Sequence, residues 1–509
     1  MEYRRSRRRL LGELGGIGAL ALGGCLGRGD DRERLHVASP WSPDSLDPTV
    51  GGSVLRRIGI TETLVAADYD AEVAPGLATD WSTNDDATVW EFELREGVAF
   101  HDGSAFDADT AVASLRRAFG TTALAGVPVE RIDPLDDHRI EIETEVPFVP
   151  LPAHLNRPET ALLSPGSFDD DRVDEPVGTG PFAFEEWDAG SSIDAVRNEA
   201  YHGTVPEIDG VVYEGIEEDG TRLLKLRNDE IDMARILPVS EIGAVKDDDG
   251  LTPHVYPIPR SRYVVFDTDS EPFDDVRVRR AVLHAIDREE LTETLLGSVT
   301  DPAVGPFPAS VTDWANEALE PYEHDPDGAA ELLADAGWTA EEGDTLGRDG
   351  TPFEIELWTY STRPMLPRIA EVIQAQLGAV GIDVAVRTME SSTITERAES
   401  GPFDAFVWSN SLLWYPDPDR LTDFFHSEDS EMHSGYAEPR VDELLEAGRE
   451  TVDPDRRKEL YDELQSIVHE DLPIAFLTDY TNVVATRERV ENYTPHPLES
   501  RYGLENVRI

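Results

Sequence analysis

Lysine is nearly missing from this chain. Of the 44 basic residues among 509, only Lys225, Lys246 and Lys458 are lysine, against 104 Asp and Glu, for a formal net charge of −60. Phosphate binding runs on Lys/Arg neutralisation, so the deficit excludes a nucleic-acid partner met through a general basic surface. Cysteine occurs once, at Cys25, which excludes a disulfide scaffold and any cysteine-cluster metal site. The chain has no His-Glu-x-x-His helix, no Gly-x-Ser-x-Gly elbow and no Gly-Lys-Ser/Thr phosphate loop, so the usual hydrolase and nucleotide signatures are absent. The twelve histidines are scattered, and acid pairs are too frequent for a glycosidase-like pair to carry information. No repeat of about 20–50 residues is evident, which disfavours a solenoid or propeller.

What is present is acid spread along the whole chain, in runs such as Asp169-Asp170-Asp171 and Asp247-Asp248-Asp249, with 39% hydrophobic residues between. That distribution describes a solvated folded surface, not an acidic tail. Self-repulsion at this charge strains a compact state in dilute salt. At molar salt the Debye length falls to about 3 Å and most of it is screened. Lysine depletion with this much acid points to an extreme halophile of archaeal type. The length allows two or three domains.

The first residues read as an export signal. Arginines at 4, 5, 7, 8 and 9 precede an apolar stretch, Leu14 to Leu22, too short for the roughly 20 residues of a membrane-spanning helix. Ser6-Arg7-Arg8-Arg9-Leu10-Leu11 resembles the twin-arginine motif. Leu22-Gly23-Gly24-Cys25 resembles a lipobox. The expectation is a signal over 1–24, a lipid on Cys25, a tether over 25–34, and an extracytoplasmic protein held at the membrane without a transmembrane helix.

Helix and strand periodicities alternate beyond that point. Val89 to Leu94 alternates apolar and acidic residues, as a half-buried strand does. Val112, Leu115 and Phe119 follow the start signal Asp107/Asp109 at helical spacing. Asp325-Pro326 opens a helix stopped by Gly337, and Ile369 to Val380 form a helix face ended by Gly381, with Ile382, Val384 and Val386 alternating as a strand. Asp287 with Glu290 predicts a capping box before Leu291, Leu295 and Leu296. Asp453-Pro454 starts a helix that Pro473 ends. Helix followed by strand, repeated, gives an α/β fold class.

Seven segments then fall in a recognisable order and spacing. They begin with Ala74-Pro75-Gly76-Leu77-Ala78-Thr79-Asp80-Trp81, Trp90 to Gly97 and Phe100-His101-Asp102-Gly103. Val177-Gly178-Thr179-Gly180-Pro181-Phe182, Arg197-Asn198-Glu199-Ala200-Tyr201 and Glu230-Ile231-Asp232 follow, and then Pro272 to Ala281. With the helix end Ala329–Trp338 and the run Leu464 to Pro473, the chain from about Leu46 onward resembles the peptide/nickel-type (family 5) solute-binding proteins of ABC importers. The resemblance implies a two-lobed, hinge-closing fold with an extra inserted subdomain. Lobe I would comprise 35–65, 195–265 and 480–509, the inserted subdomain 66–194, and lobe II 266–479, with Tyr263 to Asp267 as a crossing strand. It also implies a monomer with no cofactor, serving a permease and an ATPase.

In peptide-binding members an aspartate meets the peptide ammonium, in a segment like Trp408 to Pro418. Asn410 or Ser411 stands in its place here, and Trp408, Trp414 and Tyr415 are expected either as cleft walls or as core. Asp417 is expected either as a ligand contact or as a turn residue. Arg157, in Asn156-Arg157-Pro158, matches a position that grips chelator carboxylates in the nickel branch, and Arg363 is a second carboxylate clamp, because a planar fork suits bidentate binding. His426 is the metal ligand if the solute is a nickel chelate. The reading is capture of short peptides or related carboxylate-bearing solutes, with a nickel chelate as the alternative. An anchored hydrolase or a ligand sensor on the same fold is the remote one.

Overall fold

The computed structural model describes residues 33–169, 172–340 and 345–509. The expected signal, Cys25 and most of the tether lie outside these. Among the described residues no helix is long and apolar enough to cross a membrane.

Two long strands, Leu251–Phe266 and Ile474–Arg487, pair antiparallel at the centre of a ten-stranded mixed sheet. Both are rich in Val, Ile, Phe and Tyr, which fit a pleated buried surface. On one side of the pair the sheet continues through Met233–Ala234, Arg34–Ser39, Gly210–Gly215 and the hairpin Ser192–Arg197/Phe182–Asp188. On the other it continues through Ala405–Ser411, Glu354–Thr359 and Asp383–Thr388. The register of the central pair slips between Ile258 and Ser261 and again between Arg262 and Tyr263. A separate four-stranded antiparallel sheet orders Ala78–Thr83, Val89–Leu94, Arg139–Thr144 and Val129–Asp136.

Each part has its own core. The largest holds Tyr263, Leu333, Ile369, Phe424 and Leu464. A second packs the four-stranded sheet on the helix Ala108–Phe119, through Phe92, Leu115 and Ile142. A third gathers Leu35, Ile60, Phe182, Val211 and Tyr502. The protein is thus an α/β molecule of the two-lobed type with an additional subdomain.

Local signals act as expected at most ends. Asp107 and Thr110 form a reciprocal cap, Asp325 accepts from the Gly328 amide at 2.9 Å, and Gly337 and Gly381 end their helices at φ +92° and +87°, where a side chain is disfavoured. The Asp287–Glu290 box departs from expectation. Asp287 accepts from the Glu290 amide at 2.8 Å, but Gln376 intervenes, bonding the Asp287 amide at 3.1 Å and the Glu290 carboxylate at 2.8 Å. The following turn Leu291–Leu295 widens to a π-helix. The helix Pro454–Asp471 ends at Leu472, which turns left-handed at φ 48° just before Pro473.

The Gly178-Thr179-Gly180 segment shows why glycine stands there. Its backbone lies against residues 59–61, with Gly180 donating to the Ile60 carbonyl at 3.1 Å. A Cβ at either glycine would fall 2.2 Å from a carbonyl oxygen.

Candidate functional site

Arginines converge where the two halves of the large sheet meet. Arg260 and Arg262 come from the strand Leu251–Phe266, and Tyr480 from its partner strand. Arg363 follows Glu354–Thr359, and Trp41 follows Arg34–Ser39. Arg57 ends the short helix Ser53–Arg57, and Glu499 belongs to the C-terminal segment. All four arginines are buried.

Among the described residues Glu499 is the one carboxylate directly bonded by two of them. Arg260 donates to its Oε2 from Nε and Nη2 at 2.9 and 2.7 Å, and Arg363 donates to Oε1 and Oε2 at 3.0 and 3.1 Å. Burial alone would push this carboxyl up, but Arg260 and Arg363 outweigh it and hold it well below the usual carboxylate range. Arg262 has no carboxylate bond; it donates to Thr478 Oγ1 and the Asp479 carbonyl and lies 4.1 Å from the Tyr480 ring centre. Burial pushes its guanidinium down to about 10, with Tyr480 opposing and the charges of Arg363 and Arg260 adding. Arg57 lies 4.0 Å over Trp41. Arg363 sits 5.2 Å from the same ring. Asp479 follows on the partner strand, its backbone carbonyl accepting from Arg262, and burial, assisted by Asp301, pushes its carboxyl up to about 7. Even with Asp479 ionised, four guanidiniums face two carboxylates.

Polar atoms stand unused around the cluster. Arg262 Nε and the hydroxyls of Ser261 and Ser409 are buried without a partner. A cavity of about 850 Å³ lies between the loop Tyr69–Val73, Tyr256 and Pro257, the loop 309–314, and Asp417 with Arg457. That is within the range of small-solute sites. Its wall reaches the central strand three residues before Arg260, and the C-terminal segment two residues before Glu499. The chemistry on offer is binding: charge-assisted, forked donation to carboxylates beside aromatic faces.

The expected site residues are not brought together. Arg363 is in the cluster, but its fork is taken by Glu499. Arg157 donates to the Ala123 carbonyl at 2.9 Å and pairs with Glu159 at 3.4 Å, so its fork is spent locally. Trp408 and Asn410 line a separate open depression with Thr395 and the loop 428–433. Of wall and core, Tyr415 is core: it is buried, its ring centre 4.0 Å from that of His154 at a 35° tilt, with its hydroxyl on Asp419. Trp414 is half-buried in the same turn. Asp417 is the turn residue, accepting from the Asp419 amide and gripped by both Nη atoms of Arg457 at 2.7 and 2.6 Å. His426 is buried, and its Nδ1 accepts from the Glu428 and Asp429 amides. Among the described residues no group of three or more His, Cys, Asp or Glu is placed to hold a metal ion.

Arg57, Arg260, Arg262, Trp41, Tyr480 and Glu499 were not expected. Arg260 and Arg262 left one trace, two arginines spaced by two in an otherwise apolar strand, Pro259-Arg260-Ser261-Arg262-Tyr263-Val264-Val265. Such spacing puts both on one face.

Known proteins share this architecture. The model of bacterial extracellular solute-binding proteins, family 5 Middle, matches residues 72–432. Di/tripeptide-binding protein 2 of Pseudomonas aeruginosa is 27% identical over 510 residues, covering 92% of this chain and 93% of its own. The nickel-binding periplasmic protein of Escherichia coli is 26% identical over 501 residues, covering 94% of each. Among solved structures, NikA from Brucella suis in complex with Fe(III)-EDTA superposes with a TM-score of 0.86 at 25% identity, covering 93% of this chain and 99% of that one. The family model and these relatives are described by the solutes they bind. With the family model spanning well over half its length, the chain belongs to the family 5 extracellular solute-binding proteins.

Proposed function

We propose that this protein captures a solute carrying more than one carboxylate, a short acidic peptide or a metal chelate, between its two lobes and delivers it to the permease and ATPase of an ABC importer. The observation that carries the reading is the surplus of buried arginine: four guanidiniums against one firmly bonded carboxylate. A buried, uncompensated charge is costly, and a ligand's carboxylates would relieve that cost only when the lobes enclose it. Closure is then the population shift that the ligand drives. One relative is named for di/tripeptides and one for nickel, and a solved structure holds Fe(III)-EDTA, a polycarboxylate chelate.

The chelate reading has a specific form. The chelator's carboxylates meet the arginines, while His426 keeps its Nδ1 on its own loop. Export by the twin-arginine route and a lipid on Cys25 complete the reading and place the protein on the outer face of the membrane. Intact mass of the native protein tests the lipid.

The test of binding is a melt of the wild-type protein and Arg363→Met with di- and tripeptides, citrate, and nickel with and without histidine. A true ligand at about 100 times its Kd stabilises by about 2.7 kcal/mol, and Arg363→Met should abolish that gain. Stabilisation by neutral sugars alone, or by nothing carrying a carboxylate, would refute the proposal.

A further inference from the structure

A second polar cavity, of about 280 Å³, shares Arg57 with the arginine cluster and is otherwise bounded by Arg56, Glu62, Arg95, Tyr201, Arg501 and Glu505 among others. Its lining comes from stretches far apart in sequence, among them the helix Ser53–Arg57, the segment after Val89–Leu94, and the C-terminal segment. Both carboxylates are already engaged. Glu62 accepts from Thr179 at 2.8 Å, His202 at 3.0 Å and Tyr201 at 3.1 Å, and Glu505 pairs with Arg501.

Arg56 and Arg95 are left without a carboxylate. Arg56 is 8% exposed, and its one hydrogen bond is a long one, from Nη2 to Thr63 Oγ1 at 3.4 Å. Its Nε has no partner. Arg95 donates to the Gly76 carbonyl at 3.1 Å, and its Nε also has none. Burial pushes the Arg56 guanidinium down to about 10, the charge of Arg501 adding to the effect and those of Glu62 and Glu505 opposing it. In a chain with 104 acidic residues, two enclosed guanidiniums with no acid on them leave room for an anion from outside.

We propose that this cavity binds a small tetrahedral oxyanion of the sulfate or phosphate class, held by the forks of Arg56 and Arg95. Two planar forks match paired oxygens of such an ion. The volume suits it with a few waters and is below the ~300–1,000 Å³ of ordinary ligand sites. Bound there, the ion ties separate stretches of chain together, a role distinct from solute capture at the lobe boundary.

Equilibrium dialysis of the full chain with radiolabelled sulfate, at fixed ionic strength, tests the proposal. One saturable sulfate per chain is expected, competed by inorganic phosphate, and Arg56→Met should weaken it at least tenfold. Arg95→Gln, on another wall and away from the buried helix, should weaken it similarly and covers the case in which Arg56→Met fails to fold. No saturable sulfate in the wild type would overturn the proposal. So would sulfate binding that survives both substitutions, or that is lost only with Arg363→Met, which would place the ion at the lobe boundary.

Discussion

Replacing Glu499 by Gln removes one negative charge and almost no volume. The side chain is 3% exposed and stands between Arg260 and Arg363, at 6% and 9%. Four donor–acceptor contacts of 2.7–3.1 Å converge on its two oxygens. The amide keeps the shape but turns one acceptor into a donor aimed at a guanidinium. It also leaves Arg260 and Arg363 without their bonded anion. Breaking a buried pair in this way costs about 3–5 kcal/mol, because the remaining charge cannot return to water. Salt screens enclosed charges poorly, so the loss should persist in concentrated salt. Urea titrations of the wild type, Glu499→Gln, Arg363→Met and the double variant would measure it, with Tm as a second probe. Arg363→Met should suppress part of the Glu499→Gln loss, giving a coupling of about 2 kcal/mol or more. Excess free carboxylate should recover stability in Glu499→Gln, since it can supply the missing anion. The sign of the pH dependence follows from the depressed carboxyl. Its contribution is complete above the ordinary carboxyl range and is lost as pH falls through the lower folded-state value. Glu499→Gln should therefore lack that acid limb. A variant within 1 kcal/mol of the wild type (roughly the worth of a surface pair), or strictly additive single and double changes, would refute this account of the cluster.

Other substitutions separate binding from framework. Asp479, its carboxyl pushed up to about 7 by burial and Asp301, retains its proton in the folded chain where the unfolded chain has released it. Stability should fall as pH rises from about 4 to 7, and Asp479→Asn should flatten that slope; an unchanged slope would assign it to the general surface charge. Asp417→Asn breaks the Arg457 pair and should cost about 3–5 kcal/mol in urea. Arg157→Ala, whose guanidinium serves the Ala123 carbonyl, should cost about 1 kcal/mol of stability and leave carboxylate affinity within twofold. Gly180→Ala should destabilise by about 2 kcal/mol or more, since its Cβ would meet the Gly59 carbonyl at 2.2 Å.

Sequence reading reached the architecture more fully than the site. Apolar spacing marked the helices Ala108–Phe119 and Leu366–Ala379 and the strands Val89–Leu94 and Asp383–Thr388, because periodicity is imposed by a neighbouring core. The family resemblance implied Tyr263 to Asp267 as a crossing strand, but not the full sixteen-residue strand Leu251–Phe266 or its partner Ile474–Arg487. Pro253, Pro257 and Pro259 obscure the first, and polar residues 478–482 the second. The site was harder to see because its charges come from five separate stretches of chain. Arg363 was identifiable by its place before a proline, whereas Glu499 is one acid among 104. Nothing local distinguishes an acid that will meet two buried guanidiniums from one that will face water. Tyr415 was open between wall and core for a similar cause: an aromatic in a loop reads as either, and only the partner His154, 4.0 Å away and more than 250 residues earlier, shows it to be core.

The register slips in the central pair have a mechanical consequence. A continuous ladder resists bending, but a bulge softens it and concentrates twist at one place. The two slips fall at Ile258/Ser261 and Arg262/Tyr263, so they bracket the very stretch that carries Arg260 and Arg262. The charges therefore sit at the fulcrum and not at the rim. A rotation of a few degrees there moves the nearby guanidiniums by fractions of an ångström while the distant edges of the lobes sweep a much longer arc. Under the proposed function the molecule would work as a lever loaded at its pivot, where a small solute needs little reach to hold both arms.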